Sequence, residues 1–180
     1  MKRATPFPLP DTDSLPTPLK QEVASRRALH VYRMIMHTPR IAPAFLAMSD
    51  ALRHETSLPG NLREVAILRV GHRYQAPYEV HHHERLGRSV GLGDAALAAT
   101  RVGANQEALS PEERLVLSWT DELIDHHALS QASREAALAM LTPTQLADLT
   151  LTVGFYQMVC NFLSTFGVEV EGLREAGATT

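Results

Sequence analysis

The densest concentration of reactive side chains is Tyr78-Glu79-Val80-His81-His82-His83-Glu84. On a helix, Glu79 and His83 stand four residues apart and share a face, while Tyr78 and His82 share the next one. A carboxylate beside an imidazole is a usable acid/base pair, because histidine titrates near neutral pH. Pro77 would place Glu79 in the first turn, where the positive end of the helix dipole favours its ionised form. His83, one turn later, can share a proton with it. The histidine triplet is a poor metal site: on a regular helix His81 points about 160–200° away from the Glu79/His83 face, so all three rings cannot meet one ion. Read alone, the segment also fits a histidine-rich solvated helix, and both readings stay open at this level.

The elements that must position these residues are helical, with proline near starts and glycine near ends. Pro18 opens a pattern running to His37, with Val23, Leu29, Met34 and Ile35 on or near one face. Thr38-Pro39 marks a helix toward His54, and Pro59 precedes a third ending near Gly71. Pro77 opens a fourth, which stops at Gly91-Leu92-Gly93, and Asp94 can cap a short helix to Arg101. Ser110-Pro111-Glu112-Glu113 combines a hydroxyl cap, a first-turn proline and carboxylates on the positive dipole end. That helix should run through Trp119 to about His126, and another should cover Ser130 to Leu141. Thr142-Pro143-Thr144-Gln145 has capping-box spacing and opens a last long helix, Leu146 to Phe166, closed by Gly167. Val168-Glu169-Val170 alternates but is too short for a strand. The expected fold is all-α, with about six to eight helices and no tandem repeat.

Five of the eleven prolines lie within residues 6–18, so residues 1–17 should form an extended arm. It is either a loose tail or a strap on a neighbouring subunit, with Phe7, Leu9 and Leu15 as anchors. Residues 18–180 then make one domain, since 180 residues is about one domain's worth of chain. One cysteine allows no internal disulfide, CxxC pair or multi-thiolate metal site. A net charge of -3 gives no overall pull toward nucleic acid or anionic lipid. Continuous apolar stretches fall short of the roughly 18–20 residues of a membrane span. The charged start Met1-Lys2-Arg3 has no apolar segment behind it, so a cytoplasmic location is expected.

Residues 61–93, from Asn61-Leu62-Arg63-Glu64 through Tyr78-Glu79 and His83 to Gly91-Leu92-Gly93, resemble the carboxymuconolactone decarboxylase family, which includes the alkylhydroperoxidase D-like proteins. The likeness is best over about residues 40–125, and the last helix with Tyr156 and Asn161 is similar as well. It implies an alkylhydroperoxidase D-like helical bundle that assembles as a homo-oligomer, a trimer or hexamer. Redox members of the family carry a glutamate, a CxxC pair and a histidine. Glu64 falls at the glutamate position, Ala76 and Glu79 at the two cysteine positions, and His83 at the histidine position. With neither an attacking thiolate nor a resolving thiol there, thiol peroxidase chemistry is not expected. Cys160, among Val159, Phe162 and Leu163, reads as a buried structural cysteine.

What the resemblance then implies is a lyase of aromatic catabolism that acts on a small carboxylated or lactone substrate without metal or other cofactor. Decarboxylation of a carboxymuconolactone needs an oriented carboxylate, a stabilised oxyanion and a proton delivered to carbon. His83 is the candidate proton donor, Glu79 its tuning partner, and Glu64 a supporting carboxylate or base. Tyr78 and His82 are candidate pocket residues. Arg73, or else Arg69 or Arg85, is a candidate holder of a substrate carboxylate, with an ion pair as the plainer role. His72 and His126-His127 fit dipole roles at helix ends, His30, His37 and His54 ordinary polar positions, and Trp119 a core or interface position. The competing function is a non-catalytic small-ligand-binding or structural homo-oligomer on the same scaffold. A metal-dependent hydrolase using the histidine triplet ranks below both.

Overall fold

Proline, glycine and hydroxyl caps set most helix boundaries where the spacing predicts them. The structure, a computed structural model, describes residues 5–104 and 106–172. Residues 1–4, which begin the arm and carry the charged start, and residues 173–180, which end the expected domain, lie outside the described residues. Within them are nine α-helices: α1 (Thr17–Ser25), α2 (His30–Met34), α3 (Ala42–His54), α4 (Gly60–Arg73), α5 (Pro77–Ser89), α6 (Asp94–Val102), α7 (Pro111–His126), α8 (Gln131–Met140) and α9 (Pro143–Phe166). Short 3-10 turns occur at Thr12–Ser14 and Ile35–His37, and no strand is present among the described residues.

The count exceeds six to eight because the expected helix from Pro18 to His37 is broken. Arg27 and Ala28 adopt positive φ, and the Ala28 N–H donates back to Val23 O at 3.0 Å, closing α1. The break leaves Arg26 paired with both Glu22 and Asp50. Other differences are smaller. α4 continues past Gly71 to Arg73, and Gly93 rather than Asp94 caps α6, since Asp94 accepts from Arg88 Nε at 3.0 Å.

The chain divides into two compact units. The first holds residues 5–53 and 162–172 of the described chain. Here the arm docks on its own chain: Phe7 N–H donates to Phe166 O at 2.9 Å, and His37 Nε2 to Pro8 O at 3.0 Å. The Phe7 ring meets His37 and Phe166 edge-on. Val23, Tyr32, Met34, Ile35, Met36 and Leu46 are buried in this unit.

The second unit, residues 54–161, carries the reactive segment. α4 is its central helix, with Leu62, Val65, Ala66, Ile67, Leu68 and Val70 all buried. α5 returns antiparallel beside it, with Gly71 facing Val80 and Gly60 facing Val90. The approach is close: a Cβ on Gly71 would stand 3.1 Å from Val80 Cγ2. α7 begins in a complete Ser110/Glu113 capping box, and Asn61 Nδ2 donates to Glu113 Oε1 at 3.0 Å. Arg69 ties α4 to its neighbours, donating to both Asp121 oxygens and to the carbonyls of Thr100 and Arg101. Trp119 is core, as one of its two expected roles has it.

α9 corrects the hydropathy reading. Its 24 residues are long and apolar enough on average to meet the criterion for a membrane span. Counting uninterrupted apolar runs missed this, because neutral Thr150, Thr152, Gln157 and Asn161 break the runs while Asp148 is the helix's one charge. Leu149, Val153, Phe155, Tyr156, Val159 and Cys160 are nevertheless buried within the second unit, which is the pattern of a core helix.

Candidate active site

Pro77 starts α5 and puts Glu79 in its first turn, so Glu79 and His83 share a face as the spacing predicts. That face turns inward onto α4. His83 Nδ1 donates to Glu64 Oε2 at 2.6 Å, and its Nε2 pairs with Glu79 Oε1 at 2.9 Å. Glu64, Glu79 and His83 are 2%, 5% and 5% exposed, which rules out the solvated-helix reading for Glu79 and His83. The Tyr156 ring from α9 meets the imidazole in a T-shaped contact, with ring centroids 5.0 Å apart at 83°.

A histidine bonded through both nitrogens to carboxylates is held as the imidazolium. Burial opposes that charge, but Glu79 and Glu64 outweigh it and raise the His83 pKa to about 9. The site is therefore a proton held between two acceptors in a nearly dry setting. It can surrender that proton to a third group when one carboxylate bond gives way.

The other candidates divide. His81 is exposed, His82 half-buried and His83 buried, so the triplet diverges as the helical period requires. Tyr78 is buried and packs against His82 at 4.5 Å, on the face next to the cluster. Arg73 lies nine residues beyond Glu64, about 13 Å along α4 by helical rise. It is taken up by Asp121 at 2.6 Å and by Asp125, so the structure brings it to an ion-pair network rather than to the cluster. Arg69 is engaged by the same Asp121. His72 has its pKa lowered, chiefly by burial.

Cys160 is a fully buried free cysteine whose thiol is pushed well up by burial and by the negative charge of Glu79. A thiol in that condition is a poor nucleophile. Sequence reasoning did not place Tyr156 in the site, although the resemblance touched it. Its position one turn before Cys160 on an apolar helix carried no signal of chemistry. Arg63, whose Nε lies 3.6 Å from Glu64 Oε1, enters the sequence reading only as part of the stretch that carries the family resemblance.

No family model matches the chain, and no curated protein matches it. Solved structures do. An uncharacterized peroxidase-related protein from Ralstonia eutropha JMP134, described as an alkylhydroperoxidase AhpD core, superposes with a TM-score of 0.82 at 20% identity, covering 94% of this chain and 95% of that one. An uncharacterized peroxidase-related protein from Silicibacter sp. TM1040 gives 0.80 at 17% identity, covering 94% and 92%. A cysteine-to-alanine variant of the debrominase Bmp8, in complex with 2,3,4-tribromopyrrole, gives 0.73 at 12% identity, covering 94% and 93%. Identities this low carry the fold alone.

Proposed function

Starting from an alkylhydroperoxidase D-like helical fold with no thiol pair, we propose that the chain is an acid/base enzyme acting on a small carboxylated or lactone substrate, by decarboxylation or a related proton transfer. The observation that supports this is the buried His83 imidazolium between Glu64 and Glu79. Such a cluster stores a proton where water competes poorly for it.

In the decarboxylation version, the bond from ring carbon to carboxylate breaks and carbon dioxide departs. The electron pair moves into the conjugated lactone carbonyl, so the substrate supplies its own electron sink and the reaction needs no cofactor. The pair then returns from the enolate oxygen and reforms the carbonyl. As it does, a carbon of the conjugated system takes the Nε2 proton of His83, leaving neutral imidazole, which water reprotonates. Glu79 must swing off Nε2 to admit the substrate, while Glu64 keeps Nδ1–H in place and steadies the ring. The small ring bound by the debrominase relative suits the same substrate size. The working form is proposed to be a homo-oligomer, for which exposed Leu151 and Met158 on α9 supply apolar contact surface.

The saturation of both His83 nitrogens also favours a second reading, a buried structural ion cluster in a protein that binds a ligand without turnover. The experiment is to follow absorbance and carbon dioxide release on 4-carboxymuconolactone, and deuterium uptake from solvent into related unsaturated lactones. Turnover lost in both His83→Gln and Glu79→Gln supports the enzyme reading. Unchanged turnover in His83→Gln overturns the assignment, and the absence of either reaction in the native protein leaves the structural reading.

A further inference from the structure

One cation beside the cluster has donors to spare. Arg63 precedes Glu64 in α4, and its side chain is 14% exposed where that of Glu64 is 3% and that of His83 7%. It is thus the more exposed member of the Arg63–Glu64 pair. Its Nε is buried without a hydrogen-bond partner. Glu64 Oε1 lies 3.6 Å from that nitrogen, close enough for attraction and too far for a hydrogen bond. The Nη1 contact with Thr56 Oγ1, at 3.5 Å, is at the limit of bonding. Arg69, one and a half turns further along α4, fills four donor directions with Asp121 and two carbonyls. Arg63 is a guanidinium fork kept largely unfilled at the edge of the reactive cluster.

We propose that Arg63 holds a carboxylate of the substrate, and that this carboxylate is one that survives the reaction. The proposal rests on the acid/base reading of the cluster and adds the substrate class to it. Two carboxylates around one imidazolium leave the cluster net negative, and the Arg63 guanidinium supplies the local cation that offsets this for an anionic substrate. Its planar fork matches a carboxylate bidentately. The partner must be a spectator group, because pairing the departing carboxylate with a guanidinium would stabilise the ground state and slow loss of carbon dioxide. The substrate is then a small unsaturated ring that carries an acid group in addition to its reacting centre.

The test uses a probe that cannot react: the saturated lactone 5-oxotetrahydrofuran-3-carboxylate and its methyl ester. Calorimetric binding to the purified full chain measures the preference for acid over ester. The native protein is expected to favour the acid by at least about tenfold, with that preference abolished in Arg63→Gln and reduced in Arg63→Lys, which keeps the charge without the fork. A merely structural role for Arg63 would weaken both probes equally. Lack of acid preference in the native protein, or an unchanged preference in either variant, overturns the proposal. If Arg63→Gln fails to fold by thermal melting, Arg63→Lys decides. Binding preference without turnover on any lactone would leave this subsite standing and remove the enzyme reading instead.

Discussion

The imidazole of His83 is held by Glu64 from the adjacent helix, with 2.6 Å between Nδ1 and Oε2, while Glu79 on its own helix takes the other nitrogen at 2.9 Å. Both nitrogens are donors in this arrangement, so the ring carries its full complement of protons at rest. Protonation and stability are thereby linked through one group, which makes the cluster open to measurement without any ligand.

The first consequence concerns pH. The His83 pKa in the folded protein is about 9, above the ordinary value of 6.5 that applies on unfolding. A raised pKa contributes stability that is fully present below about 6.5 and is lost as pH rises through about 9. Denaturant unfolding is expected to show stability falling across this window, by an amount on the order of a few kcal/mol. The decline should be absent in His83→Gln. A native protein whose stability is flat from pH 6 to 10 contradicts the arrangement.

Replacing Glu64 removes one of the two charges that hold the imidazolium. Glu64→Gln keeps the shape and an acceptor oxygen but leaves buried His83⁺ with a single carboxylate. A loss of about 3 kcal/mol at pH 6 is expected, shrinking above pH 9 where the ring is neutral in both proteins. Urea titrations at the two pH values check this, and histidine ring resonances should report a lowered His83 pKa in the variant.

Thr152 offers a test of opposite sign. Its Oγ1 is buried without a hydrogen-bond partner, and the residue is fully enclosed in α9. Thr152→Val replaces that hydroxyl with a methyl group of similar volume. A gain of about 1 kcal/mol in unfolding free energy is expected. A loss of stability would show that the hydroxyl is paired in solution.

Cys160 should be silent. With its thiol enclosed and its pKa raised by burial and by Glu79, it is expected to resist a disulfide reagent in the native state and react stoichiometrically in denaturant. Peroxide consumption at the background rate is the matching expectation. Rapid native labelling would contradict the buried environment.

Much of the scaffold was legible in the sequence because its signals are local. Ser110/Glu113 and Thr142/Gln145 form reciprocal caps where their spacing predicts them, with Gln145 N–H donating to Thr142 Oγ1 at 3.2 Å. The break between α1 and α2 was not legible, because Arg27 and Ala28 are not residues whose type announces positive φ. Arg26 can hold both Glu22 and Asp50 only once α3 is in place.

The site divides along the same line. Glu79 and His83 belong to one helix, and a spacing of four residues suffices to put them on one face. The sequence by itself therefore determined the pair and, through a resemblance, pointed to Glu64. Only tertiary structure decided that this face is buried, that Glu64 reaches Nδ1 and that Tyr156 meets the ring. It also sent Arg73 to Asp121 and Asp125 and left Arg63 Nε without a hydrogen-bond partner beside Glu64. The physical reason is that protonation, burial and pairing depend on what packs across from a helix, and that partner lies far away in sequence.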